Sequence, residues 1–232
     1  MAIELAEVLD ALIGDQEATQ TYASFVLSQA QSGKLLELAC GTGALASILK
    51  SSLEVEGLDH DAAMLKQFSQ KNPDCVTHHR SMTQLQGLGT YDVILCFGDS
   101  LNYLTDDHDV DELFKQVDGH LRPGGVFLFD LHTEARLEEF ENEFIEEGML
   151  GEVGYQWTIQ TLPDQLIDHQ LTFYDASGSF TRHQIIQRVY TLADIKTRLK
   201  RFNWSIRVFS DFNEGVDAQA EKYLLVCTKE NT

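Results

Sequence analysis

The sequence predicts an α/β fold: a mostly parallel sheet carries helices on both faces, and a small antiparallel β segment is inserted late in the chain. Three observations predict it. Short apolar runs alternate with amphipathic stretches between residues 35 and 131, and regular strand–helix alternation requires right-handed crossovers and a parallel sheet buried on both sides. After Leu131 three runs rich in β-branched and aromatic residues follow with no helix between the first and the last, which implies antiparallel pairing. The alternation then resumes toward the C-terminus.

Taken in order, Leu5, Val8, Leu9, Leu12 and Ile13 recur at helical spacing, and a second helical pattern runs through Tyr22, Phe25, Val26 and Gln29. Ser32-Gly33 breaks it. Strands are expected at Leu35 to Ala39, Val55 to Leu58, Cys75 to His78, Tyr91 to Phe97 and Val126 to Leu131, with helices at Ala44 to Lys50, Ala62 to Gln70 and Asp109 to His120. The acidic stretch Glu134 to Glu147 reads as a helix with a solvated face. Strands at Glu152 to Thr161, Leu166 to Tyr174 and Phe180 to Val189 are separated by Pro163-Asp164 and Ala176-Ser177-Gly178, which are turn residues. A helix over Leu192 to Phe202 and strands over Trp204 to Phe212 and Tyr223 to Thr228 complete seven strands in the main sheet. The expected division is residues 1–147 with 190–232 as one domain and 148–189 as an inserted subdomain covering the substrate.

Composition narrows the function. The 232 residues carry 17 Lys and Arg against 37 Asp and Glu, a formal charge of −20. Such an excess of acid repels nucleic-acid phosphates and anionic membrane surfaces, whose binding rests on basic side chains. Neither partner is expected, and no apolar run approaches the roughly 20 residues of a membrane span. The acidic first ten residues do not read as a signal peptide. Cys40, Cys75, Cys96 and Cys227 are scattered through apolar segments without a Cys-x-x-Cys pair, as in a reducing cytoplasm.

The segment Leu35-Leu36-Glu37-Leu38-Ala39-Cys40-Gly41-Thr42-Gly43 carries the most information. It is a buried strand running into a glycine turn and a helix, where the backbone can pass close beneath a ligand. The spacing Gly41-x-Gly43-x-x-Ala46 also satisfies the loose dinucleotide fingerprint. Glu37 separates the two readings, because an acid inside the strand would repel a pyrophosphate and attract a cationic or amino-bearing ligand.

On these residues the chain resembles the class I, Rossmann-like S-adenosylmethionine-dependent methyltransferases, with LLELACGTG as their first motif. Val55 to Asp59 is similar to their second strand, Tyr91 to Cys96 to the fourth, and Leu121-Arg122-Pro123-Gly124-Gly125 to the turn into the fifth. Asp99 to Leu104, with Phe129 to Thr133, is similar to a bacterial subgroup with a small β insertion. The resemblance implies S-adenosylmethionine as cofactor, held by Glu37, Ala39, Gly41, Gly43, Asp59, His60, Met64, Ser81, Met82, Phe97 and Tyr22. Ser81 stands where the family often has an acid on the adenine amino group; serine can hydrogen-bond adenine but offers no carboxylate.

Asp99, Asn102 and Tyr103 follow one strand and His132 another, at the edge where open α/β sheets bind ligands. His132 and Asp99 are the candidate general bases, Asp99 being equally suited to cap a helix. Asn102, Tyr103, Tyr155 and Trp157 are candidate substrate contacts, with packing as the rival role for the aromatic residues. His169 and His183 are placed to face each other, without the ligand pattern of a metal site. The expected activity is methyl transfer to a small-molecule N or O nucleophile by a cytoplasmic monomer or homodimer; the alternative is a non-catalytic S-adenosylmethionine-binding regulatory or partner subunit.

Overall fold

The computed structural model describes residues 3–231. Helices α1 (Leu5–Ile13) and α2 (Gln16–Gln29) precede strand β1 (Lys34–Leu38), α3 (Ala44–Leu49), β2 (Glu54–Asp59), α4 (Ala62–Lys71), β3 (Val76–His79) and β4 (Tyr91–Cys96). A 3-10 turn, Ser100–Tyr103, leads to α5 (Asp107–His120) and β5 (Leu121–His132). Next come α6 (Ala135–Glu139) and four strands, β6 (Phe144–Leu150), β7 (Val153–Leu162), β8 (Leu166–Tyr174) and β9 (Phe180–Arg188). Helix α7 (Leu192–Leu199), β10 (Trp204–Ser210), β11 (Asn213–Glu214) and β12 (Lys222–Lys229) close the chain.

The main sheet has the order β11-β10-β12-β5-β4-β1-β2-β3. Strands β1 to β5 are parallel, and β12 is antiparallel to β5. The seven expected strands are all present, and the two-residue β11 adds an eighth at one edge. The order reverses at β1, whose neighbours are β2 and β4, so the crevice of the sheet opens at the carboxyl ends of β1 and β4. The antiparallel β12 brings its first residue to that same edge, where Lys222 pairs in register with His132. One core layer gathers Leu36, Ile94, Phe114, Phe127 and Phe129; the other gathers Val26, Leu35, Ala46, Phe68 and Val93.

The second sheet is antiparallel, in the order β6-β7-β8-β9. Its extra strand corrects the reading of residues 134–147 as one helix: α6 stops at Glu139, and Phe144 onward pairs with β7. The many glutamates read as a solvated helix, but Gly148 weakens a helix there, and the run from Phe144 pairs along its length with β7, which brings Leu150 into the cluster of Leu171 and Phe173.

The glycine turn depends on Gly43. A Cβ there would lie 2.5 Å from Phe68 Cδ2 and 2.6 Å from Asn72 Nδ2, in a backbone at φ +80°. Phe68 is fully buried, and Asn72 donates to the Gly43 carbonyl at 2.9 Å. Gly43→Ala is therefore expected to destabilise the fold by about 2–4 kcal/mol, the sum of overpacking and left-handed strain. At Gly41 a Cβ meets nothing within 4 Å, so Gly41→Ala should cost only about 1 kcal/mol of backbone strain. Urea denaturation of the two variants side by side checks the ordering.

Candidate active site

A cavity of about 780 Å³ opens at the crevice, walled by the carboxyl edge of the main sheet, by α1 and α2, and by the inner face of the second sheet. Its cofactor half begins where β1 ends. Ala39 takes a left-handed φ of +50°, Gly41 one of +53°, and this turn lays backbone beneath the cavity. Asp59, at the end of β2, fastens the turn: its Oδ2 accepts from the Gly41 N–H at 2.9 Å and its Oδ1 from the Asp61 N–H at 2.9 Å. The cap of α4 is Asp61, which accepts from Ala63 N–H, so Asp59 is not spent on capping.

Glu37 is buried, and among the described residues its Oε2 has no hydrogen-bond partner. Burial first, and the charge of Asp59 second, push its carboxyl up to about 8. An uncompensated buried acid is costly unless a partner arrives. Tyr22, Ala39, His60, Met64, Met82 and Phe97 line the same cavity. The open space above Gly41, two carboxylates and apolar walls fit a ligand that is cationic, carries a ribose and ends in a flat base. S-adenosylmethionine has those three parts. Ser81 does not line the cavity; its hydroxyl lies 2.9 Å from that of Thr83.

Helix α1 is tied over this half. Thr42, within the glycine turn, donates to Asp10 at 2.6 Å, and Lys71 reaches both Asp10 and the Thr42 hydroxyl.

The other half of the cavity is built on Asp130, which is fully buried in β5. Its carboxylate takes the Asp99 N–H at 2.9 Å, the Gly98 N–H at 3.3 Å and the Tyr22 hydroxyl at 2.6 Å, with Lys222 Nζ at 3.7 Å. These bonds hold Asp99 at φ +57°. The Asp99 carboxylate then meets Lys222 at 3.2 Å and lies 3.6 Å from His132 Nδ1, which is buried. Burial works against ionisation of Asp99, but His132 and Lys222 outweigh it and hold its carboxyl below the usual range. Asp130 is pushed the other way by burial and by Asp99.

Tyr103 and Trp157 also line the cavity. Asn102 and Tyr155 do not. Asn102 is buried behind the wall, donating to the Arg188 carbonyl at 2.7 Å and accepting from the His132 N–H at 3.2 Å. Tyr155 bonds the Glu146 carboxylate at 2.5 Å. The side chains of His169 and His183 take separate partners: Trp157 and Gln187 for His169, the Ile3 carbonyl for His183. Asp130, Lys222, His169 and Gln187 were not singled out from the sequence as site residues. Asp130 carries the signal that marked Glu37, an acid inside a buried apolar strand; Lys222 becomes visible only once β12 is known to run antiparallel beside β5.

Residues 35–125 match the model of a methyltransferase domain. The fold is that of an S-adenosylmethionine-dependent methyltransferase structure from Clostridium acetobutylicum ATCC 824, with a TM-score of 0.84, 24% identity and 98% of each chain covered. The chain is a class I S-adenosylmethionine-dependent methyltransferase. It is 28% identical to YqeM of Bacillus subtilis (strain 168) over 98% of this chain and 96% of that one, a protein whose name gives no acceptor. Over 43% of this methyltransferase and 40% of the relative it is 31% identical to the dTDP-3-amino-3,6-dideoxy-alpha-D-glucopyranose N,N-dimethyltransferase of Streptomyces fradiae.

Glu37 makes the methyltransferase pH-sensitive in a defined direction. Folded, the carboxyl keeps its proton up to about 8, whereas at its ordinary value of 4.5 the unfolded chain has already lost it. Its contribution to stability therefore declines as pH rises from about 4.5 to about 8 and is level beyond. Glu37→Gln is expected to raise the melting temperature of the ligand-free protein more at pH 8 than at pH 5, and to weaken S-adenosylmethionine binding at pH 8 about tenfold or more, or about 1.4 kcal/mol. Thermal melts and titration calorimetry at both pH values check the two halves.

Proposed function

We propose that this methyltransferase transfers the methyl group to an amine of a small polar metabolite, with Asp99 and His132 taking up the proton that the nitrogen releases. The observation that carries this reading is the pair itself: Asp99 Oδ1 and His132 Nδ1 face each other at 3.6 Å beside the cavity; among the described residues His132 Nδ1 makes no hydrogen bond, and the other group close to Asp99 Oδ1 is the Lys222 ammonium at 3.2 Å. Asp99 is the more open member, with 20% of its side chain accessible against 5% for His132. A cationic amine is drawn to the carboxylate, and its proton has an imidazole to reach behind it.

Bound S-adenosylmethionine supplies an electrophilic sulfonium methyl. What the chain supplies is position: Tyr22, Phe97 and Met82 wall the cofactor half, and Glu37 and Asp59 favour its cationic and hydroxyl groups. In-line attack at about 3–3.5 Å follows from such placement. The bound ammonium first gives a proton to the Asp99–His132 pair; the nitrogen lone pair so freed forms the N–C bond as the S–C bond breaks and the bonding pair returns to sulfur. We assign the second sheet, with the insertion at 148–189, to cover the acceptor, because Trp157, His169 and Gln187 close the cavity from that side. The Streptomyces relative named for an amino-sugar substrate makes amino sugars the first acceptors to try.

A panel of amino sugars and other small amines, with matched alcohols, is incubated with labelled S-adenosylmethionine, and the demethylated product is quantified. Turnover is expected with amines, and His132→Ala is expected to lower kcat about a hundredfold with the S-adenosylmethionine Kd unchanged within about threefold. Methylation of alcohols alone, or full activity in His132→Ala, overturns the reading.

A further inference from the structure

The second sheet does more than cover the acceptor. Trp157 on β7, His169 on β8 and Gln187 on β9 form a hydrogen-bonded row that ends on His132 of the main sheet. The Trp157 indole N–H donates to His169 Nδ1 at 3.3 Å, His169 Nε2 lies 2.9 Å from Gln187 Oε1, and His132 Nε2 lies 3.1 Å from the same oxygen. Strand register places them so: Trp157 pairs with Leu171 and His169 with Ile185, so alternate residues of three neighbouring strands meet on one face.

The chemistry of the row runs one way. An indole N–H only donates, so His169 Nδ1 must be the acceptor and the His169 proton must sit on Nε2. Burial, the leading cause, presses the His169 ring down to about 4 and so keeps it neutral. Its Nε2–H then needs an acceptor, which turns the oxygen of Gln187 rather than its NH2 toward the ring. That oxygen in turn accepts from His132 Nε2.

We propose that Trp157, His169 and Gln187 are positioning residues that keep a proton on His132 Nε2, leaving Nδ1, opposite Asp99, as the one nitrogen at which His132 gains and loses a proton. The inference rests on the proton-accepting role given to His132 above. It assigns to the inserted sheet a part in proton transfer at the main sheet: with the opposite tautomer, Nδ1 would hold its proton against Asp99 and could accept none. The charged and titratable groups facing His132 are Asp99 on the turn after β4, Lys222 on β12 with Asp130 behind it, Arg136 on α6 and His169 on β8.

The test is 15N NMR of the histidine ring nitrogens in the full chain, with 15N-histidine, titrated over the pH range in which it stays folded. His132 Nε2 is expected to remain protonated throughout while only Nδ1 changes, and His169 to stay neutral with its proton on Nε2. Trp157→Phe removes the donor that starts the row and is expected to give His169 and His132 mixed tautomers and to lower kcat about tenfold at unchanged S-adenosylmethionine Kd. His169→Gln, which can still donate to Gln187, should preserve the His132 signature, and His169→Phe should lose it. A wild-type His132 that deprotonates at Nε2, or tautomers unchanged in both Trp157→Phe and His169→Phe, overturns the proposal. An intact tautomer pattern together with full turnover in His132→Ala would overturn the amine-transfer reading instead, so the two failures are distinguishable.

Discussion

The carboxylate of Asp130 holds the acceptor half together. It lies in the middle of the main sheet with no accessible surface, and it is shared by four groups from three places: two backbone N–H groups of the turn after β4, the Tyr22 hydroxyl of α2 and the Lys222 ammonium of β12. Burial and Asp99 work against charge on this carboxyl, so it depends on these partners, and removing one partner of a buried ion pair costs about 3–5 kcal/mol. Geometry follows from that cost. The turn carrying Asp99 cannot relax from its left-handed conformation without giving up the bonds to Asp130, and Tyr22 cannot swing off the cavity. Packing of Tyr22 on Phe97 and Phe212, with ring centroids 5.0 and 4.9 Å apart, closes the same arrangement from the apolar side.

Electrostatics then divides the cavity. In the cofactor half no Lys or Arg among the described residues pairs with Glu37 or Asp59; Asp59 has the exposed His60 at 3.4 Å and two backbone N–H groups, whereas Glu37 Oε2 has no hydrogen bond, so its compensation is left to a bound cation. In the acceptor half Lys222 sits between Asp99 and Asp130 and offsets part of their charge. The overall excess of acid is a separate matter: residues 130 to 152 hold nine acids and one basic residue, and all of those acids except Asp130 are exposed, on α6, on β6 or in the turns beside them. What selects a cation at the site is two neighbouring buried carboxyls with no Lys or Arg among the described residues to pair with, which a charge of −20 over the whole surface neither requires nor guarantees.

Much of this was legible in the residues, for identifiable reasons. The parallel sheet could be read because its central strands β1, β4 and β5 carry apolar runs bounded by polar or glycine punctuation, and the cofactor half because LLELACGTG compresses strand, acid and turn into nine consecutive residues. Asn102 and Tyr155 misled because position past a strand, or alternation along one, says which edge or face a residue occupies but not whether a backbone carbonyl or a neighbouring glutamate claims its side chain first. Lys222, His169 and Gln187 were out of reach in another way. Each is more than 30 residues from its partners on the main sheet, and only strand order and register bring them together.

Helix α1 joins the two halves. Through Asp10 it is bonded to the glycine turn at Thr42, and through Val8, Leu5 and Leu12 it packs on Leu171, Phe173 and Ile185 of the second sheet, in the cluster that also takes in Trp157. Just before α1, the Ile3 N–H and carbonyl bond Thr181 and His183 on β9. A helix held at one end by the glycine turn and along its length by the second sheet cannot move against one without loading the other. Any ligand that tightens the Asp10–Thr42–Lys71 contacts therefore also steadies the sheet that carries Trp157, His169 and Gln187, and this coupling needs no element beyond one short helix with an apolar face and a single aspartate.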